Sequence, residues 1–375
     1  MKVLFYIHTL YVGGAETIVT KYLLSLKEHN VEVALVVNHH EDTFLEKRLN
    51  EANIQIYALG TAKPKSKLKK FLWHIKLRVV NYRKKFDKII ELEHPDLIHT
   101  HMTIARLYGV NFQTNRIIYS FHSNVERALR LSKKKEYVIL SKLSQQGLTF
   151  FALTDQMCDD IKRIFNTDRI YKIPNAVNIQ KIRTNVYTKS EFLPEINIPA
   201  DAFVLGHVGR FNIVKNHERI ISIFNELHKL RKNSYLVLVG GDDCNRISKL
   251  KKSVDVYGIE EYVKFLEVRQ DATRIMGCFD AFVLPSFSEA FPLVLIESQA
   301  LNIRVVASDN VPVEVFCNDN CFRLSLEESD EKWAELLISD SVRESKKSIE
   351  DFDIGNVTKM LIEHYKTALD RCYDD

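Results

Sequence analysis

The 375-residue sequence is poor in the residues that mark unusual chains. It has 12 glycines and 8 prolines, too few for a collagen-like or low-complexity polypeptide. Its six cysteines (Cys158, Cys244, Cys278, Cys317, Cys321 and Cys372) are scattered, with no CxxC pair. That excludes a disulfide scaffold and argues against a zinc site, since Cys317 and Cys321 have no second ligand pair nearby. No apolar run approaches the ~18 residues that span a bilayer. The opening Met1–Ile7 is short, has no small-residue cleavage site after it, and reads as a buried first strand rather than a secretion signal. Reduced thiols in a cytoplasmic protein are expected. A strong charge of one sign is also missing, because 53 basic and 49 acidic residues leave only +4.

What is present is 46% hydrophobic and 27% charged sequence, the composition of a globular protein. At this length, two domains are the natural expectation. The charge is concentrated locally. Residues 63–88 hold eleven Lys or Arg against one acid, Asp87. Within that stretch Phe71, Leu72, Ile75, Val79, Tyr82 and Phe86 recur at helical spacing, beside Trp73. The pattern predicts an amphipathic helix whose basic face (Lys67, Lys69, Lys70, Lys76, Arg78, Arg83, Lys84, Lys85) suits an anionic membrane surface. A solvated surface helix is the plainer alternative. Nucleic acid is not expected, since no aromatic platform or recognition motif accompanies the charge.

Short β-branched runs alternate with helical patterns along the whole chain. Val3–Ile7, Val31–Val37, Ile54–Ala58, Leu97–His99, Ile117–Phe121, Phe150–Leu153 and Ile170–Ile173 form a first set. Val204–Val208, Tyr235–Val239, Tyr262–Leu266, Ala281–Leu284 and Arg304–Ala307 form a second. Alternation of this kind predicts βαβ units and parallel sheets covered on both faces. The fold class is therefore α/β, with two Rossmann-like domains whose ligands sit at the carboxyl ends of the strands. The expected division is 1–180, a linker at 181–200, 201–355, and a C-terminal helix, 356–375, that could return to the first domain. The linker is read from its two prolines and lack of period.

The chemistry-bearing residues follow strands. Gly13-Gly14 lies between the first strand and helix, where amides at a helix start favour an anion, although GxGxxG is absent. His99, His101 and His122 fall near strand ends; their spacing lacks the HExxH logic of a zinc site, and a substrate-contacting imidazole is the better use. Gly209-Arg210 ends one strand, and Lys215-Asn216 opens the next helix, placing a guanidinium fork and an ammonium where a diphosphate could bind. Gly240-Gly241-Asp242 is another strand-to-helix loop. The stretch from Pro285 to Glu297 places Glu289 in a loop and Glu297 eight residues on, in a helix that begins near Pro292.

That last stretch resembles the E-x7-E signature of retaining glycosyltransferases of the GT-B fold, family 4. Its second half, Leu293 to Ala300, resembles the exopolysaccharide and capsule branch. Five further pieces match in order: Gly13-Gly14-Ala15-Glu16; Pro95 to His101 with Ser120-Phe121-His122; Ile173 to Asn178; Gly209-Arg210 with Lys215-Asn216; and Ser308 to Pro312 with Glu314. The resemblance implies two Rossmann-like domains facing a cleft, acceptor on the first and nucleotide sugar on the second. It assigns Arg210 and Lys215 to the diphosphate and Glu297 to the ribose. Glu289, with the backbone of Ala290, Phe291, Pro292 and Leu293, falls to the donor sugar, and His122 lies beside that sugar. Gly13 and Gly14 leave room for phosphate and acceptor, and His101 and Asn175 belong to the acceptor or the cleft.

The implied reaction is metal-independent transfer with retention, from a uridine nucleotide by family frequency, to a polyprenyl-diphosphate-linked or other glycan. No cofactor is implied; Gly241-Asp242-Asp243 is not a metal-binding DxD. The implied location is cytoplasmic, peripheral on the inner face of the membrane. Three residues depart from the pattern: Ala290 where Gly is common, Asn302 where Gly is frequent but Asn tolerates a left-handed backbone, and Asn178 where Asp is frequent. A sugar-nucleotide 2-epimerase or a non-catalytic glycosyltransferase-like subunit stays open. An NAD-dependent dehydrogenase fits poorly without GxGxxG.

Overall fold

Runs of Val, Ile, Leu and Phe with no alternation, such as Val3–Ile7 and Tyr235–Val239, can be strands only where both faces are covered. The computed structural model describes residues 1–11, 13–61, 81–131, 134–242, 245–344 and 348–374, and there these runs are the buried centres of two parallel sheets. The chain forms two units: Met1–Ala176 with Ile354–Asp375, and Val177–Asp353.

In the first unit β1 (Lys2–Ile7), β2 (Glu32–Val37), β3 (Gln55–Ala58), β4 (Leu97–His101), β5 (Ile117–Ser120), β6 (Thr149–Ala152) and β7 (Ile170–Lys172) run in the spatial order β3-β2-β1-β4-β5-β6-β7. The helices are α1 (Gly14–Glu28), α2 (Phe44–Glu51), α3 (Tyr82–Glu93), α4 (Val125–Leu131), α5 (Lys134–Ser144) and α6 (Asp155–Phe165). Helix α1 shows why they dock: Ile18, Val19, Tyr22, Leu23 and Leu26 form one buried stripe. The hydroxyl of Thr154 accepts the amide of Met157 to start α6, and Asn166, at φ 48°, ends it in the left-handed region.

The second unit contains α7 (Ile179–Thr184), α8 (Lys189–Phe192), β8 (Phe203–Val208), α9 (His217–Leu230), β9 (Ser234–Val239), α10 (Ile247–Tyr257), β10 (Val263–Leu266), α11 (Ala272–Met276), β11 (Ala281–Leu284), α12 (Leu293–Ala300), β12 (Arg304–Ser308), β13 (Cys321–Leu324) and α13 (Asp330–Ile338). Its sheet order is β10-β9-β8-β11-β12-β13. Phe203, Leu205, Phe224, Leu236, Leu238, Val283 and the wholly buried Trp333 are part of its core. The chain then returns to the first unit as α14 (Ile354–Asp374).

Several sequence expectations need amendment. Residues 181–200 are not a linker: they fold as α7, α8 and a 3-10 turn at Leu193–Ile196, all within the second unit. The two prolines misled, because Pro194 stands at the start of that turn, where a missing N–H costs nothing. The chain changes unit at Ala176–Val177 and again at Asp353–Ile354, before residues 180 and 355. His99 is not at a strand end; it is the middle residue of β4. Of the basic residues expected to dock on a membrane, Lys67, Lys69, Lys70, Lys76 and Arg78 lie outside the described residues. Arg83, Lys84 and Lys85 begin α3, whose Tyr82, Phe86 and Ile89 are buried. Lys85 is exposed, yet its ammonium donates to the Leu59 carbonyl at 2.7 Å.

Candidate active site

Sheet topology locates the site before any side chain is considered. In the second unit the strands β8, β9 and β10 step outward in one direction, and β11 then begins on the other side of β8. The two loops leaving the carboxyl ends of β8 and β11 therefore diverge over opposite faces of the sheet. A crevice opens between such loops in doubly wound sheets. The loop after β8 carries Gly209, Arg210 and Lys215; the loop after β11 carries Pro285 to Pro292 with Glu289. Two pieces of sequence 74 residues apart meet there: the Lys215 ammonium lies 2.6 Å from a Glu289 carboxylate oxygen. Both side chains are largely buried, at 16% and 13% exposure, so the pair is not a floppy surface bridge.

Backbone contacts hold the two loops in register. The Asn212 side chain accepts the Lys215 amide at 3.2 Å, making a single 3-10 turn of Ile213–Lys215. Asn216 follows at φ 54°, a left-handed conformation that asparagine tolerates, and its side-chain amide donates to the Pro285 carbonyl at 3.2 Å. The Phe287 amide donates to Val214 at 2.8 Å. The neighbouring β9 loop presses in as well. A Cβ on Gly240 would stand 2.0 Å from the Gly209 carbonyl oxygen, so this position has room for glycine alone. Beneath the loop the buried His207 donates from Nδ1 to the Val283 carbonyl at 2.9 Å, leaving Nε2 toward Gly209. Burial, with His217 beside it, holds His207 well below the usual imidazole range; burial and the Lys215 charge hold His217 down to about 4. Both rings are neutral under Lys215.

Arg210 is exposed on the same loop. Helix α12 starts at Pro292, which takes the N-cap position rather than the first helical one. Pro292 has no N–H, so of the four backbone groups expected to face a sugar, only Ala290, Phe291 and Leu293 can donate. Phe291 is buried, its ring 5.5 Å from that of Phe352. Glu297 is the fifth residue of α12 and half-buried. Ala290 is outside the set of positive-φ residues, so its methyl replaces the family's glycine without strain, and Asn302 adopts φ 56° as its position requires. Asp242 accepts the amides of Arg246 and Ile247 at 2.7 and 2.9 Å, a capping duty at the start of α10.

The first unit has its own switch point between β1 and β4. Gly13 and Gly14 follow β1, with open space within 4 Å of a Cβ built on Gly14. A Cβ on Gly13 would meet only the carboxylate of Glu16, at 2.5 Å, which can swing aside. His101 ends β4, and its Nδ1 lies 2.9 Å from Nε2 of His122 beyond β5. His101 is wholly buried and presents no surface of its own. Burial lowers both, His122 to about 4. His99, grouped with these two in the sequence, is a core residue: its nitrogens lie 2.6 Å from the Tyr365 hydroxyl and 2.7 Å from that of Ser120. Asn175 is buried, and its side-chain oxygen meets no partner among the described residues. Among the described residues no group of three or more His, Cys, Asp or Glu is gathered as metal ligands would be.

Sequence reasoning missed Asn212 and His207, and quoted Asn216 only as the neighbour of Lys215. The only signal was two asparagines around a lysine in a βα loop, the residue type that supplies turns and left-handed positions.

Comparison with known proteins gives the family. Residues 188–371 match the model described as glycosyl transferases group 1, and residues 12–181 match glycosyltransferase family 4. EpsF of Bacillus subtilis (strain 168), designated a glycosyltransferase, is 31% identical over 172 residues, 45% of this chain and 44% of EpsF. An Escherichia coli UDP-Gal:alpha-D-GlcNAc-diphosphoundecaprenol alpha-1,3-galactosyltransferase is 24% identical over 235 residues, 59% of this chain and 60% of that protein. The matched stretches thus span about half the length of these relatives. The crystal structure of Anabaena HepE in complex with UDP and glucose superposes with a TM-score of 0.77 at 18% identity, covering 98% of this chain and 100% of that one. That likeness shows the fold, two Rossmann-like units of the GT-B kind. With the two models covering nearly its whole length, the chain belongs to the group 1, family 4 glycosyltransferases.

Proposed function

We propose that this protein is a retaining, metal-independent glycosyltransferase that moves a sugar from a UDP-sugar to a lipid-diphosphate-linked glycan in surface polysaccharide synthesis. The observation that carries the proposal is the meeting of Lys215 and Glu289 at the switch point of the second unit. A diphosphate leaving group needs cations that are already in place when its charge develops. Lys215 is fixed by Asn212 and Asn216, with Arg210 on the same loop. Helix α12 adds first-turn amides with no intrahelical acceptor. These groups suffice without a divalent ion. The diphosphate would compete with Glu289 for Lys215, turning the carboxylate toward the sugar. Glu297, one turn deeper in α12, would accept the ribose hydroxyls.

Glu289 and Glu297 are then both binding groups, not the acid and nucleophile that retaining hydrolases hold about 5–5.5 Å apart. Retention by front-face substitution follows: the sugar–phosphate bond breaks, the acceptor oxygen bonds to the same face, and its proton passes to the departing phosphate. His122 and the Gly13-Gly14 loop are assigned to the first unit's share of substrate binding, with His101 supporting His122 and Asn175 on the acceptor side. The lipid-diphosphate acceptor is supported by the Escherichia coli relative, whose name specifies one. The test is a panel of sugar nucleotides incubated with EDTA, reading nucleoside diphosphate release. Release from one UDP-sugar, abolished by Glu289→Ala or Lys215→Ala, is expected. Turnover that requires a divalent ion would overturn metal independence, and absence of both binding and turnover with every nucleotide would overturn the assignment.

A further inference from the structure

One cation near the carboxyl ends of the first unit's strands has no part in the site described so far. Arg106 lies in the loop after β4, which leaves that strand through Met102, exposed and at φ 58°. The loop folds back on α3, where the guanidinium carbon of Arg106 stands 3.4 Å from the ring centre of Tyr82. Tyr82 is the first residue of α3 and is buried. One turn on, Phe86 meets the Tyr6 ring of β1 edge-on at 5.3 Å, which fixes the helix to the sheet. Stacking on an aromatic face holds a guanidinium plane still and leaves its edge N–H groups to donate.

Arg106 is half-buried, yet among the described residues it makes no ion pair and no hydrogen bond. The neighbouring acids are committed elsewhere. A Glu41 carboxylate oxygen lies 2.8 Å from His39 Nε2, Glu46 accepts the Glu41 amide at 2.8 Å, and Glu136 accepts the Ile104 amide at 2.7 Å. His8, directly after β1, stands edge-on to the His39 ring with 6.2 Å between centres. Burial, His39 and the Arg106 charge hold His8 below the usual imidazole range. These groups come from the loops after β1, β2 and β4, around the first unit's switch point. A planar fork with no counter-charge, gathered there beside an imidazole, is complementary to a ligand oxyanion.

We propose that Arg106 reads an oxyanion on the acceptor sugar, so that the acceptor is an acidic sugar bearing a carboxylate or a phosphate. Two N–H groups of the stacked guanidinium take the oxyanion side by side, and His8 is left for a neighbouring hydroxyl. The proposal deepens the acceptor side of the transferase reading and rests on that reading for the ligand's role.

The experiment is ligand-observed NMR on the full chain, with UDP present to fill the Lys215 loop. The probes are glucuronate, galacturonate and glucose 6-phosphate, against glucose, galactose and inorganic phosphate. The acidic sugars are expected to bind about tenfold or more tightly than the neutral ones, and Arg106→Gln to abolish that preference. Arg106→Lys keeps the charge without the fork or the stack, and should restore only part of it. A merely structural stack on Tyr82 would lower the melting temperature and leave the ratio of acidic to neutral affinity unchanged. Tighter binding of the uronates assigns a carboxylate, and tighter binding of glucose 6-phosphate a phosphate; either supports the proposal. Four results would overturn it: equal binding of acidic and neutral sugars, no binding of either, inorganic phosphate bound as tightly as the acidic sugars, or an unchanged preference in Arg106→Gln. Donor hydrolysis by the native protein is read separately. Its absence would count against the transferase assignment and leave the anion preference to be judged by binding alone.

Discussion

Gly240→Ala should disable donor turnover without touching a charged group. The added Cβ would stand 2.0 Å from the Gly209 carbonyl oxygen and 2.7 Å from its carbon, with Arg210 N at 3.4 Å. These are backbone atoms, so no side chain can rotate away. To reach ordinary contact at 3.4 Å, the β8 loop must back off by about 1.4 Å. That loop carries Arg210 and Lys215, and a misplacement of ~1 Å at a positioning group costs on the order of 10²-fold in rate. Overpacking of this kind also costs ~1–3 kcal/mol of stability, a modest shift in melting temperature. Gly240 lies outside the positive-φ residues, so the effect is steric and not backbone strain. The assay pairs sugar-nucleotide affinity and nucleoside diphosphate release with a melting curve. Native affinity and turnover in Gly240→Ala would refute the placement of the diphosphate on this loop. Gly14→Ala is the matched contrast. No atom lies within 4 Å of its Cβ, so folding is undisturbed, and any loss of turnover would report a ligand approaching that backbone.

Lys215→Met should reduce turnover by at least 10², and more than Arg210→Met, because Lys215 is the more buried cation; nucleoside diphosphate release in EDTA measures both. Glu297→Gln should raise KM for the UDP-sugar more than it lowers kcat, as removal of a ribose contact would, and steady-state kinetics separate the two. The chain should lose stability as pH falls from about 6.5 to 4. The unfolded His122 takes a proton near its ordinary 6.5 while the folded one waits until about 4, so the stabilisation is complete above that window and lost through it. This one group contributes roughly 3 kcal/mol, with His99, His101, His207 and His217 shifted the same way, and urea midpoints across pH read the sum. Tyr365→Phe should cost ~1–3 kcal/mol by stranding the buried Nδ1 of His99, seen as a lowered melting temperature with donor affinity unchanged.

The sequence was most legible where physics is local. Continuous β-branched runs bounded by turn residues announced the buried parallel strands, which carry apolar side chains on both faces. Glu289 and Glu297 were legible as a pair because a helix start lies between them. Long-range placement was not. His99 and His101 look alike in Leu97–His101, yet one bonds to a residue 266 positions away, information that no spacing carries. Strand β13 was missed for its brevity and for Arg323 within it. The ion pair of Lys215 with Glu289 was hidden for a different reason. It depends on β8 and β11 being spatial neighbours, which the order of strands along the chain does not reveal.

The return of the chain to the first unit also governs how the protein can be made. Thr358 and Tyr365 on α14 bond to Ser25 and His99, both deep in the first unit. These partners emerge from the ribosome more than 250 residues apart. Until then Ser25 and His99 lack their α14 hydrogen-bond partners. At 5–20 residues per second the wait is on the order of tens of seconds. The second unit, a single uninterrupted segment, can fold during that wait. Vectorial synthesis therefore reverses the numbering: the first unit is the last to be completed, because α14 is made after the whole of the second unit.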